Sequence, residues 1–72
     1  MNNFIIDNKS VGQRLRSLRG KKTLKQVSDD TGINISSLTM YELGERMPRD
    51  KVKVVLADYY GVDVGKLFFT IE

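Results

Sequence analysis

The chain has 72 residues, 40% of them apolar, and carries a formal net charge of +3 from 12 basic and 9 acidic side chains. A chain of this length folds as one small domain with one modest core. It contains no cysteine and no histidine, which excludes disulfides, thiolate and imidazole metal sites, and the commonest general base of enzymes. No cofactor is therefore expected.

The first nine residues contain an apolar run, Phe-Ile-Ile, at positions 4–6. This run is β-prone, and it is too short for a signal peptide or a membrane span. It packs on the domain, pairs with another strand or forms an N-terminal arm, and the sequence leaves these alternatives open. We treat residues 1–9 as an arm and residues 10–72 as the folded domain.

The first helix is expected over residues 11–19. Ser10 is its candidate N-cap, because a serine hydroxyl can accept a hydrogen bond from an unpaired backbone N–H. Arg14 and Arg16 point away from the apolar face of this helix. That face, read from helical spacing, comprises Val11, Leu15 and Leu18. Residues 20–22 connect this helix to the next.

The segment TLKQVSDDTGINISSLTMYE, residues 23–42, is predicted to form two short helices joined by a tight turn. Thr23 and Asn34 are the candidate N-caps. Gly32 and Gly44 follow the two helices, where a chain leaving a helix often adopts a positive φ. One apolar residue fills the turn between the helices. This order of caps, apolar residue and glycines is typical of a helix-turn-helix motif.

A fourth helix is expected to start after Pro48, with Arg49 or Asp50 near its cap, and to end at Gly61. Its apolar stripe comprises Val52, Leu56 and Tyr60, widened by Val54 and Ala57. Val55 and Tyr59 lie off this stripe and are expected at the surface. Both positions are therefore available for contacts with another molecule.

A short fifth helix is expected over residues 64–68, with Asp63 as its N-cap and Leu67 turned inward. An apolar, β-prone tail follows at residues 68–71. The sequence contains no internal repeat, no low-complexity run and no linker. The expected fold is therefore one all-α, five-helix domain with short extended termini.

The charges are distributed unevenly along the chain. Residues 1–26 contain seven basic side chains and one acid, whereas residues 27–72 contain five basic side chains and eight acids. Such an asymmetry is typical of a surface that faces a polyanion. A solvated basic helix explains it equally well, and charge alone does not separate the two interpretations.

The order of these features resembles the Cro/phage-repressor (XRE-like) family of helix-turn-helix DNA-binding domains, which have a compact lambda-repressor-like fold. The resemblance covers residues 10–68 and includes LADYYGVDVGKLF at residues 56–68. It depends on an ordered set of matches and not on any single one. The matching residues are Thr23, Val27, Ser28, Gly32, Ile33, Asn34, Leu38, Tyr41, Glu42, Gly44, Arg46 and Pro48.

The resemblance implies that the second helix lies across the backbone of double-stranded DNA and that the third helix enters the major groove. The expected base-reading residues are Asn34, Ile35, Ser36, Thr39 and Met40. The expected phosphate contacts are Lys22, Thr23, Lys25, Ser37 and Arg46, with Arg49 as a weaker candidate. Many relatives carry Gln, Arg or Asn at two or three of the base-reading positions. Direct readout is therefore expected to be limited, with specificity depending on DNA shape or on an arm at residues 4–7.

The resemblance also implies two contacts between protein groups. Arg19 is expected to pair with Glu42 and so tie the first helix to the third; the alternative is that both side chains are exposed. Relatives usually bind DNA as symmetric dimers. The expected homodimer face comprises Val55, Tyr59, Val64, Phe68, Phe69 and Ile71. In the alternative, residues 4–6 and 69–71 cover one another within a monomer.

The leading hypothesis is a sequence-specific transcriptional regulator, a repressor of phage, mobile-element or bacterial type, in the cytoplasm and without a membrane partner. The alternative is a protein-interaction module on the same scaffold, such as an antirepressor, antitoxin or switch subunit. In that case Ile35 and Met40 contact a regulatory protein partner. An enzyme is not expected, because the adjacent Asp29 and Asp30 point in different directions and no other acid cluster is evident.

Overall fold

The computed structural model describes residues 7–69, which form five α-helices joined by short turns. The helices are α1 (Asn8–Arg19), α2 (Leu24–Thr31), α3 (Ile35–Leu43), α4 (Asp50–Tyr60) and α5 (Val64–Phe68). The described residues include no strand, and the predicted all-α, five-helix fold is confirmed. Residues 1–6 of the suggested N-terminal arm and the tail beyond Phe69 lie outside the described residues.

Helix α1 begins at Asn8, three residues before the predicted start. Its N-cap is Asp7 and not Ser10, because the Asp7 carboxylate accepts a hydrogen bond from the Ser10 backbone N–H at 2.8 Å. The hydrogen bonds from Ser10 hold the pKa of Asp7 below its usual value, since they stabilise the charged carboxylate. The prediction of a Ser10 cap was wrong, because an aspartate three residues upstream takes the capping position. Residues 8 and 9, which the sequence placed in the arm, belong to α1.

The two helices of the helix-turn-helix begin and end where predicted. The Thr23 hydroxyl accepts a hydrogen bond from the Gln26 N–H at 3.0 Å, and the Gln26 side chain accepts one from the Thr23 N–H at 2.9 Å. This reciprocal arrangement is a capping box. Asn34 caps α3 through a 2.9 Å hydrogen bond. Gly32 and Gly44 adopt φ values of 80° and 77°, which a side chain would oppose. These local contacts fix the turn between α2 and α3.

One hydrophobic core lies between the helices, and all five contribute to it. The buried residues are Val11, Leu15, Val27, Leu38, Tyr41, Leu56, Ala57, Leu67 and Phe68. The apolar turn residue, Ile33, packs against this core, as does Leu24 from the start of α2. Within residues 7–69 no buried side-chain nitrogen or oxygen lacks a hydrogen-bond partner.

Three apolar side chains depart from the predicted pattern. Leu18 is at the surface and so does not extend the buried stripe of α1. Val54 is 59% exposed because the buried face of α4 centres on Leu56 and Ala57, and position 54 projects from the other side of the helix. Phe68, which was assigned to a dimer face, is fully buried. The short α5 turns its last residue inward between α4 and α1, so Phe68 is a core residue.

Helix α1 crosses the end of α3 at very short range. A Cβ atom added at Gly12 would lie 2.4 Å from the backbone oxygen of Glu42 and 2.7 Å from that of Tyr41. One added at Gly44 would lie 2.9 Å from the Cα of Lys9. All three distances are shorter than van der Waals contact, so the two backbones approach this closely only because glycine occupies both positions. This crossing sets the orientation of α3.

Candidate nucleic-acid interface

The outer face of α3 is exposed and largely apolar. Ile35 is 43% exposed, Met40 is 38% exposed and Leu43 is 57% exposed. Ile35 and Met40 are two of the predicted base-reading residues. Leu43 was not predicted, although its spacing of eight residues from Ile35 indicates the same side of the helix. The third helix therefore exposes three apolar side chains on its outer surface.

The polar candidates on the helix-turn-helix are partly engaged by the backbone. Thr39 donates its hydroxyl hydrogen to the carbonyl oxygen of Ile35 at 2.8 Å, so its oxygen remains available as an acceptor. Asn34 uses its side-chain oxygen to cap α3, which leaves its NH2 group to donate outward. Thr23 uses both its hydroxyl and its N–H in the capping box of α2. Ser36 is exposed.

An open groove lies beside the first turn of α3. Its lining residues are Gly32, Ile33, Asn34, Ser37, Tyr41, Arg46, Met47, Arg49, Lys51 and Val52. Three of these residues are basic and none is acidic. Arg46, Arg49 and Lys51 are exposed, and none of them forms an ion pair within the described part of the chain. We call these three residues the basic rim.

The basic rim includes one residue that was not predicted from the sequence. Ser37 and Arg46 were predicted as phosphate contacts and Arg49 as a weaker one, and all three line the groove. Lys51, in the first turn of α4, joins them there. The basic spacing at positions 46, 49 and 51 is the sequence pattern that indicates this rim. Lys51 was missed because the sequence does not show that the first turn of α4 borders this groove.

Two other predicted phosphate contacts are bound within the chain. The Lys22 ammonium lies 4.6 Å from the centre of the Tyr59 ring and 3.1 Å from its hydroxyl oxygen. That hydroxyl donates its hydrogen to Asp30 at 2.6 Å. Lys25 pairs with Asp29 at 3.0 Å, but both side chains are mostly exposed. An exposed pair of this kind is weak, so Lys25 is easily released, whereas Lys22 is held against α4.

The only acid in α3 is turned away from the exposed face. Glu42 accepts hydrogen bonds from Arg19 at 2.8 Å and 2.9 Å, and the two side chains are 10% and 18% exposed. The bond to Glu42 raises the pKa of Arg19. Burial, with a further contribution from the Glu42 charge, raises the pKa of the neighbouring Tyr60 to about 12. The outer face of α3 consequently carries no negative side chain.

The fold leaves less of the predicted dimer face exposed than the sequence suggested. Val55 and Phe69 are 39% and 38% exposed. Tyr59 and Val64 are half-buried and pack against the core of their own chain, so little of either is left for a partner. The Lys53 ammonium lies 4.6 Å from the centre of the Phe69 ring and covers part of it. Ile71, the remaining member of the predicted face, lies outside the described residues.

The described residues include no membrane-spanning helix, no acidic cluster for a metal ion and no carboxylate pair. None of the five helices is long and apolar enough to cross a membrane. Between residues 7 and 69 there is no group of three or more acidic side chains that is suited to hold a metal ion. The adjacent Asp29 and Asp30 bind different partners, Lys25 and Tyr59, and do not form a carboxylate pair.

Comparison with known proteins agrees with the fold. A family model described as a helix-turn-helix domain matches residues 12–70. The structure of the S. venezulae BldD DNA-binding domain is similar at 29% identity and a TM-score of 0.72, covering 85% of this chain and 94% of that one. A crystal structure of the DNA-binding domain of BldD is similar at 27% identity and a TM-score of 0.71, covering 94% and 99% respectively. No curated protein matches.

The family match covers most of the chain and agrees with the five observed helices. It confirms the resemblance drawn from the caps, glycines and apolar residues of the sequence. Helix-turn-helix domains are regulator domains and not enzymes, so the prediction that this chain is not an enzyme is also confirmed. The chain belongs to the family of helix-turn-helix domains.

Proposed function

We propose that this chain binds double-stranded DNA in a sequence-specific manner and acts as a transcriptional regulator. The observation that carries this proposal is the exposed face of α3 beside a groove with three basic and no acidic side chains. An exposed helix face with cations beside it fits the major groove, which is bordered by phosphates. The description of both similar structures as DNA-binding domains supports the proposal.

In this proposal the basic rim and Ser37 contact phosphates, and the outer face of α3 faces base edges. Phosphate contacts supply affinity and register, because each bound phosphate releases condensed counterions. Lys25 joins them by exchanging its exposed partner, Asp29, for a phosphate. The first N–H groups of α2, after Thr23, add a further site for a phosphate.

We further propose that the protein binds as a homodimer and represses transcription. Two copies on adjacent half-sites double the contacts and raise the effective concentration of the second copy. Exposed apolar surface at Val55 and Phe69 supports this contact. Repression requires only that a promoter be occupied, and DNA contacts suffice for that. A bacterial cytoplasm or nucleoid, in a host, phage or mobile-element context, is the corresponding location.

One observation favours a second function. Ile35, Met40 and Leu43 are all exposed on α3, and exposed apolar surface often marks protein interfaces. In this second function α3 contacts a regulatory protein partner, and the chain acts as an antirepressor, antitoxin or switch subunit. The two functions differ in their dependence on salt, because only DNA binding releases counterions from phosphates.

Binding to fluorescent duplexes at two salt concentrations tests the proposal. One duplex has a mixed sequence and the other comes from beside the gene for this protein. We expect tighter binding to the second duplex, with affinity for both falling as salt rises. Arg46→Ala and Lys51→Ala are each expected to weaken binding to both duplexes and to reduce the log–log salt slope by about 1.

Arg16→Ala is the matched control, because Arg16 is an exposed arginine on α1 that does not line the groove. Its effect on affinity is expected to be small. The proposal fails if neither duplex is bound at low salt. The assignment of the basic rim fails if Arg16→Ala weakens binding as much as Arg46→Ala does.

A further inference from the structure

We propose that Ile35 and Met40 read methyl groups in the major groove, so that the preferred DNA carries thymine methyls beneath α3. This inference rests on the proposed function and names the chemical group that the helix selects. It assigns the specificity of the domain to apolar contacts, with hydrogen bonds to bases in a secondary role.

Helix α3 has few side chains that can identify a base by hydrogen bonds. The helix has the sequence ISSLTMYEL and contains no Arg, Lys, Gln or Asn, which are the side chains that form bidentate contacts with guanine or adenine. Asn34 precedes the helix, but its side-chain oxygen is bound to the Ser37 N–H at 2.9 Å. The Thr39 hydroxyl hydrogen is bound to the Ile35 carbonyl oxygen. Few groups remain that can distinguish bases by hydrogen bonds.

Exposed apolar side chains are the other feature of the outer face of α3. Ile35 and Met40 are 43% and 38% exposed, and they lie on the face of α3 that points away from the core. The apolar group that B-DNA presents in its major groove is the thymine 5-methyl. Contact between an exposed apolar side chain and this methyl removes both from water. The free energy of one buried methylene-sized group corresponds to roughly a fourfold change in affinity.

The charges around α3 favour DNA over a protein as its binding partner. The basic rim lies in the groove beside the first turn of α3, where Ile35 begins the helix. Glu42 is turned toward Arg19, so no negative side chain on α3 repels a phosphate. Exposed apolar side chains beside a groove with three cations complement a groove that carries methyl groups and is bordered by phosphates. A protein partner would need an apolar surface with an acidic surface beside it, placed to match α3 and the basic rim.

The test uses duplexes that differ only in the 5-methyl group. An alternating A·T duplex is compared with the same duplex in which deoxyuridine replaces thymidine. An alternating G·C duplex is compared with one in which 5-methylcytosine replaces cytosine. Binding of the full chain is measured by fluorescence anisotropy at two salt concentrations. We expect tighter binding to the methylated member of both pairs, by roughly fourfold for each methyl in contact.

Ile35→Ala provides the specific control. Alanine favours a helix, so the variant retains the fold, and a circular dichroism spectrum checks this. We expect the variant to lose most of the preference for the methylated duplexes while its affinity for the uracil duplex changes little. Val54→Ala is the matched apolar control, because Val54 is 59% exposed on α4 and is not part of α3. It should leave the methyl preference unchanged.

The outcomes separate this inference from the proposed function. Equal, salt-dependent affinity for the methylated and unmethylated duplexes would overturn methyl reading and leave DNA binding intact. A methyl preference that survives Ile35→Ala and Met40→Ala together would also overturn it. Failure to bind any of the four duplexes at low salt would overturn both claims and favour a protein partner for α3.

Discussion

Arg19 and Glu42 form a two-point ion pair that fastens the end of α1 to the last turn of α3. The Arg19 Nε atom lies 2.8 Å from Glu42 Oε2, and its Nη2 atom lies 2.9 Å from Oε1. A third donor, Nη1, reaches the carbonyl oxygen of Lys22 at 2.8 Å. The pair therefore joins three segments of the chain and holds α3 in the orientation in which its apolar face points outward.

Removing one partner of this ion pair is expected to destabilise the fold strongly. The Glu42 side chain is 10% exposed. Arg19→Ala removes the partner of its carboxylate, and an unpaired charge at such a site costs on the order of 3 kcal/mol. Urea denaturation of the variant measures this loss in the free energy of unfolding. Lys25→Ala, at the exposed pair with Asp29, should cost less than about 0.5 kcal/mol. Equal losses in the two variants would contradict the structural role of Arg19.

Gly12→Ala is expected to destabilise the protein although alanine is the better helix former. The added Cβ would meet the backbone oxygens of Glu42 and Tyr41 at 2.4 Å and 2.7 Å. Moving two helices apart typically costs about 1–3 kcal/mol, which exceeds the gain of about 1 kcal/mol from helix propensity. Ser17→Ala, at an exposed position of the same helix, should change stability by less than about 0.5 kcal/mol. Thermal denaturation of both variants decides the point, and a more stable Gly12→Ala would refute the close crossing.

Asn34→Asp separates capping from DNA binding. Aspartate caps a helix as well as asparagine does, and its charge favours the helix N-terminus, so the melting temperature should not fall. The new charge would lie in the groove with Arg46 and near the phosphates, so affinity for duplex DNA should drop. Asn34→Ala lacks the cap and should lose about 1 kcal/mol of stability. Unchanged DNA affinity in Asn34→Asp would remove the N-terminus of α3 from the proposed interface.

The stability of the fold is expected to decrease in alkaline solution because of Tyr60. Its folded-state pKa is raised to about 12, chiefly by burial, whereas an unfolded tyrosine ionises near pH 10. Between these two pH values the folded state therefore holds a proton that the unfolded state releases. The contribution of Tyr60 to the free energy of unfolding is complete below about pH 10 and is lost toward pH 12. Denaturation of Tyr60→Phe across this range should show a shallower decline than the wild type. Identical declines would contradict the raised pKa.

The sequence predicted those features that depend on neighbouring residues. Thr23, Asn34, Gly32 and Gly44 act within one turn of their own helix, so their residue types at those spacings identify the motif. The choice between Asp7 and Ser10 as the first cap failed because two competent capping residues lie three positions apart. The local sequence pattern does not decide between two such capping residues, since either one can bind the same unpaired N–H groups at the start of the helix.

Other features depend on contacts between distant segments, and the sequence did not predict them. Gly12 has an ordinary helical position, and its role follows from the backbone of α3, 29 or more residues away. Phe68 was placed at the surface because a five-residue helix has too few positions to define a buried face. Lys51 joins the basic rim because the first turn of α4 borders the groove beside α3. In each case the missing information is the relative placement of two helices.

The most direct test of the proposed interface is an NMR titration of the labelled full chain with duplex DNA at low salt. We expect the largest shifts at the backbone amides of Ile35, Ser36 and Met40, with further shifts at Arg46 and Lys51. Saturable shifts at these positions would place α3 and the basic rim against DNA. Shifts confined to the surface around Val55 and Phe69, or no shifts at all, would contradict the account.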